Sequence, residues 1–161
     1  MRHFDFLDDV DRARLFLRVP ESFDATAEAP LLANALGATL YTPATRPKLA
    51  DDIARRAQQG VTSMVACLED SIPDRALLEG EQNAIAQLRH YAGTRPDGPL
   101  LFVRVRTPDQ IPMIMDGLAD DVHVLTGFVL PKFTPVNGPD YLSAIAQAGA
   151  RVGRTVYAMP V

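Results

Sequence analysis

Tryptophan is absent from this 161-residue chain, and its one cysteine stands at position 67. A lone thiol cannot close an intrachain disulfide, so the fold must rest on a packed core, and a cytoplasmic, reducing location is the simpler expectation. Long apolar runs are missing as well. Nothing approaches the ~20 consecutive apolar residues of a bilayer-spanning helix. The opening segment, MRHFDFLDDVDRAR, carries four aspartates where a signal peptide requires an apolar stretch. No membrane partner is expected. Positive charge is not in excess: the formal net charge is −4. That gives no electrostatic reason to expect nucleic acid, while a local basic site for a small anion stays open. The first βα turn, TPATRPK, has no G-x-G-x-x-G, and no P-loop pattern follows elsewhere, which disfavours a nucleotide fold. Ser63 and Ser71 lack a G-x-S-x-G context, so serine hydrolase chemistry has no support.

What is present reads as a folded α/β chain, with 47% hydrophobic and 22% charged residues and no low-complexity tract. Residues 1–36 form a helical leader. Asp8 or Asp9 caps a short helix running to Leu17, which Pro20 ends; Pro30 opens a second, LLANAL, stopped by Gly37. This leader is expected to cover the bottom or side of a domain spanning 37–161. That domain is rhythmic. Five short apolar runs (ATLYTP, TSMVACLED, LLFVRVRTP, GFVLPKFTP and TVYAMPV) have the composition of strands. Between them lie helical patterns: PKLADDIARRAQQG, LLEGEQNAIAQLRHYAG, IPMIMDGL and YLSAIAQAG. The runs recur roughly every 25 to 35 residues, the length of a βα unit. Alternating strands and helices imply a parallel sheet, covered on both faces or closed into a barrel.

The charged residues gather where strands end: Arg46 after the first, Glu69 and Asp70 after the second, Arg104 and Arg106 in the third, Lys132 after the fourth. In a (β/α)8 barrel that rim carries the active site. Period-two alternation places Phe102, Arg104 and Arg106 on one strand face and Leu101, Val103 and Val105 on the other. Two arginines would then point towards the barrel axis, where a buried guanidinium needs an anion. A bound carboxylate or phosphate meets that need, and so does an internal ion pair with Glu69 or Asp70; position alone does not choose between them. Along a regular strand Glu69 and Asp70 cannot both face inward. Lys132 reads equally as an anion contact or a solvated lysine, and Arg46 as a phosphate contact at a helix N-terminus or a surface residue. Cys67 reads as core, and His3, His90 and His123 show no metal spacing.

The ordered segments LYTPATRPKL, VACLEDSIPD, FVRVRTP, GFVLPK and YAMPV resemble the citrate lyase β-subunit-like, HpcH/HpaI aldolase-related C–C bond lyases. The wording ALGATLY, TPATRP and GFVLPKFT is similar to the branch associated with tellurium-resistance-type gene clusters. The resemblance covers Gly37 to Val161 and implies a parallel (β/α)8 TIM barrel, incomplete here at about five βα units. It further implies a Mg²⁺-dependent lyase or aldolase acting on a small 2-oxo or carboxylic acid, or an acyl thioester. In that reading Arg104 holds the substrate carboxylate, while Glu69 and Asp70 lie beside the metal and its waters. Arg46, Arg106 and Lys132 bind further anionic groups. Mg²⁺ would polarise a carbonyl and stabilise the enolate formed as the bond breaks. The direct metal ligands are expected beyond Val161, which makes this stretch by itself inactive, and the complete protein is expected to be a homo-oligomer. Gly37-Ala38 and Ala44 depart from the pattern of coenzyme-A-using members, and Arg106 stands where asparagine is common, suggesting a more anionic substrate. The alternative is a non-catalytic barrel that binds a metabolite or serves as a scaffold.

Overall fold

A computed structural model describes residues 1–94 and 98–161. Five parallel strands form one sheet: β1 (Leu40–Pro43), β2 (Ser63–Cys67), β3 (Leu100–Arg104), β4 (Gly127–Leu130) and β5 (Tyr157–Pro160). Their spatial order is β1-β2-β3-β4-β5, the same as their order in the chain. A doubly wound sheet reverses direction at a switch point and carries helices on both faces. Here there is no reversal. The helices α3 (Leu49–Gln58), α4 (Leu77–Thr94), α5 (Gln110–Leu118) and α6 (Gly138–Val152) pack their apolar stripes onto a single face. A singly wound βα array of this kind is the arc of a barrel.

Local chemistry sets the element ends. The apolar stripe of α3, Leu49, Ala50 and Ile53, is buried, and Gly60 takes φ +85° just after the helix. At the end of α6, Gly153 adopts φ +66° and donates its backbone N–H to Gly149 O, a left-handed cap that glycine makes without a Cβ penalty. The central strands β2, β3 and β4 are apolar on both faces because both are covered, whereas β1 and β5 at the two edges are only partly buried. Met64, Ala66, Leu68, Leu101, Val103, Val105, Phe128 and Leu130 meet the helices, whereas Val65, Leu100, Phe102 and Val129 belong to a second cluster on the opposite face.

That second face is where the leader goes. Its helices are α1 (Asp9–Leu15), capped by the Asp8 carboxylate accepting from Asp11 N–H at 2.8 Å, and α2 (Ala29–Ala35), with proline in its first turn. Phe23, Leu32 and Ala35 are buried against Val65, Leu100, Phe102 and Val129. The C-terminal end of α2 is anchored where β2 begins: Leu36 O accepts from Ser63 Oγ at 2.6 Å and Thr62 Oγ1 at 3.2 Å. The leader thus covers the inner face of the sheet and is tied to the start of β2. Among the described residues, no helix is long and apolar enough to cross a membrane.

Candidate functional site

Parallel strands deliver their C-terminal ends to one rim, and the loops leaving β2, β3 and β4 carry charge there. Because β2 ends at Cys67, Glu69 and Asp70 lie in the loop, free of the alternation that would have sent them to opposite faces. Glu69 is only 8% exposed. Its Oε2 lies 2.5 Å from Arg104 Nη2 and accepts the Asp70 N–H at 3.0 Å; its Oε1 accepts from Lys132 Nζ at 2.6 Å. The exposed Asp70 accepts from Arg104 Nη2 at 3.0 Å and stands 3.5 Å from Lys132 Nζ. Two cations and two carboxylates therefore close into one neutral cluster.

The electrostatics follow from that closure. Hydrogen bonding with Glu69, and then the charges of Lys132 and Arg104, hold the Asp70 carboxyl below its ordinary value. The hydrogen bond to Glu69, followed by the charges of Asp70 and Glu69, pushes the Lys132 ammonium above its own.

Arg104 pairs in register with Cys67 on one side and Val129 on the other, on the face shared by Leu100 and Phe102. Both of its ion pairs run through Nη2. Nη1 and the buried Nε have no partner among the described residues. A guanidinium held by one nitrogen keeps its two Nη1 donors for a ligand carboxylate, because both Nη2 hydrogens already serve Glu69 and Asp70.

Arg106 is placed differently from the sequence expectation. Alternation along a longer strand would have set it beside Arg104, facing the axis. β3 stops at Arg104, and the Arg106 side chain turns onto the β2 loop. There Nε donates to Leu68 O at 2.6 Å, Nη2 to Ile72 O at 2.7 Å and Glu69 O at 3.3 Å, and Nη1 pairs with Asp74. Four of its five N–H donors are spent on this chain, which leaves one Nη1 hydrogen at the cavity. Arg46 also stands apart from the cluster: it is half exposed and pairs with Asp52 of α3 at 2.6 Å.

A cavity of about 530 Å³ opens beside the cluster, lined in part by Glu69, Asp70, Arg106, Lys132, Asn137 and Tyr141. Two of these escaped the sequence reading. The Tyr141 hydroxyl donates to Arg106 O at 2.7 Å, and burial, with the Glu69 charge second, raises its pKa. Asn137 donates Nδ2–H to Lys132 O at 3.0 Å and accepts the Thr134 N–H at 2.8 Å. Tyr141 is indistinguishable from a core residue in its helical pattern; the Asn-Gly-Pro that opens α6, with Asn137 as its N-cap, marks a helix start but not a staple on Lys132.

A family model described as C–C bond lyase of the TIM-barrel fold matches residues 30–161. The chain belongs to this family. No curated protein matches the sequence. Membership agrees with the singly wound parallel sheet, and in a C–C bond lyase on this fold the strand C-terminal rim is the place for chemistry.

A metal is a separate matter. Among the described residues, no group of three or more His, Cys, Asp or Glu is placed to hold one. Mg²⁺ takes six oxygens, commonly one or two carboxylates with several waters. Glu69 and Asp70 are adjacent oxygen donors, but Arg104 and Lys132 already neutralise them. They suit hydrogen bonding to metal-bound water better than direct ligation.

Proposed function

We propose that the protein is a lyase or aldolase of the citrate lyase β-subunit-like type, cleaving or forming a C–C bond in a small 2-oxo or carboxylic acid. The observation that carries this reading is Arg104: an axis-facing guanidinium, 17% exposed, anchored through one nitrogen and unpartnered at the other two. Burying such a group is costly without an anion, and here the anions occupy only part of it. Arg104 binds the substrate carboxylate. Lys132, 75% exposed, swings between Glu69 and a second anionic group of the substrate. Glu69 and Asp70 keep both cations oriented while the site waits, and they hold ordered water above the substrate. The chemistry that Mg²⁺ supplies when bound is polarisation of the carbonyl next to the scissile bond. Its waters would rest on Glu69 and Asp70, and its direct ligands would be other residues.

The closed neutral cluster favours one competing reading, a purely structural ion network in a binding or scaffold protein. The test is to screen the complete gene product with Mg²⁺ against 2-oxo acids, hydroxy acids and acyl thioesters, following cleavage products by NMR. Arg104→Met is expected to lower kcat/KM about a hundredfold, which corresponds to roughly 2.7 kcal/mol. An active substrate on which Arg104→Met works within about threefold of the parent would remove Arg104 from the site. Absence of turnover across the panel, with Arg104→Met changing stability alone, would favour the scaffold.

A further inference from the structure

Arg106 makes more contacts with backbone carbonyls than any substrate-binding role requires. Its guanidinium reaches Leu68 O, Glu69 O and Ile72 O, spanning the whole turn that carries Glu69 and Asp70, and it pairs with the Asp74 carboxylate at the far end. The residue's own backbone is fixed from both sides. Gln110 Oε1 accepts its N–H at 2.5 Å, while the Tyr141 hydroxyl donates to its C=O at 2.7 Å. Gln110 is fixed in turn, donating from Nε2 to Glu81 Oε1 on α4 at 2.6 Å. The chain of contacts runs from α4 and α6 through Arg106 into the β2 loop, and Glu69 then meets Arg104 and Lys132.

From this arrangement we infer that Arg106 is a positioning residue: a guanidinium clamp on three carbonyls that sets the β2 loop so that Glu69 and Asp70 face Arg104 and Lys132. The inference rests on the site reading above for its catalytic consequence, and on the loop geometry alone for its structural one. The physical reason is the fork. A planar guanidinium offers five N–H donors in fixed directions, so one side chain can satisfy carbonyls at 68, 69 and 72 together. An ammonium is a compact point charge and cannot reproduce that span. Without the clamp these carbonyls turn to water, and Ile72 N–H, which donates to Glu69 O at 3.3 Å, loses a fixed acceptor.

The experiment compares Arg106→Gln and Arg106→Lys in the complete gene product. Amide hydrogen exchange followed by NMR is expected to quicken about tenfold or more at Asp70 and Ile72 in both variants, with exchange in β4 and α5 unchanged. Given a substrate from the panel, kcat falls about tenfold or more while KM stays within about threefold, equally for mono- and dicarboxylates. Unchanged exchange at Asp70 and Ile72 overturns the inference. So does a rise in KM larger for dicarboxylates with kcat retained, which is the mark of direct anion binding. Full rescue by lysine also overturns it, because charge would then suffice. The exchange readout needs no substrate, so a failed activity screen defeats the lyase reading while leaving this one decided. Should Arg106→Gln fold poorly, Asp74→Asn removes a single arm of the clamp, and a smaller rise in exchange at the same amides is expected.

Discussion

Lys132 holds a backbone conformation that few lysines adopt, φ +49° immediately after β4, at a cost on the order of 1 kcal/mol. Asn137 offsets the strain by bonding Lys132 O and the Thr134 amide, which aims the ammonium at Glu69. Its pairing with the carboxylates should therefore be visible as a pH-dependent coupling. Asp70 has a depressed folded pKa, so its contribution is present above its ordinary 3.8 and is lost as pH falls through the lower folded value. Lys132 has a raised folded pKa, so its contribution is present below its ordinary 10.5 and disappears as pH climbs through the higher folded value. Urea midpoints of the parent and Lys132→Met are expected to differ across the neutral range and to converge at both extremes; a constant gap from acid to alkali would show that packing, not charge, is lost. At this scale the sequence was informative about Arg104, Glu69, Asp70 and Lys132, because residues at strand ends share a rim whatever the loops do. It misplaced Arg106 because alternation holds only while the strand lasts, and nothing in FVRVRTP marks Arg104 as the last paired residue.

The strands themselves were legible. Each of the five apolar runs contains one; β2, β3 and β4, buried on both faces, must be apolar throughout, and the intervening 3.6-residue stripes became the outer helices. Closeness between neighbouring strands was not legible, because it depends on pairing register. Gly127 opens β4 opposite Tyr157 of β5, and a Cβ at that position would lie 2.0 Å from Tyr157 O. That neighbour is backbone and cannot rotate away. Gly127→Ala is expected to push β5 off β4 and destabilise by about 1–3 kcal/mol, as overpacking does. Thermal unfolding measures the loss, and faster amide exchange at Tyr157 and Val161 would locate it. A substitution tolerated within about 0.5 kcal/mol would mean that the β4–β5 contact is looser than this register implies.

Across the whole molecule, the plug is tied to the start of β2 while the charged cluster stands at the strand ends. Phe23 and Leu32 lie on the inner face with Val65, Leu100, Phe102 and Val129, while Arg104 and its partners stand where the strands finish. The leader's two parts also differ from each other. Leu32 is 4% exposed and shares a cluster with Leu100 and Phe102, whereas Leu17 is fully exposed. A sequence pattern alone shows both as leucines near short helices, and only the sheet's inner surface distinguishes them. Leu32→Ala should thus cost about 2–5 kcal/mol, the range for a buried leucine whose cavity does not collapse, and Leu17→Ala should stay within about 0.5 kcal/mol. Because the ion pairs of Arg104 run to Glu69 and Asp70 and not to α2, the same Leu32→Ala protein, assayed where it remains folded, is expected to keep whatever carboxylate affinity the parent shows. Chemical denaturation with ligand titration on one sample tests both halves. Loss of ligand affinity in proportion to loss of stability would show that the plug sets the spacing of the strands at the rim, and the two ends of the sheet would then have to be treated as one mechanical unit.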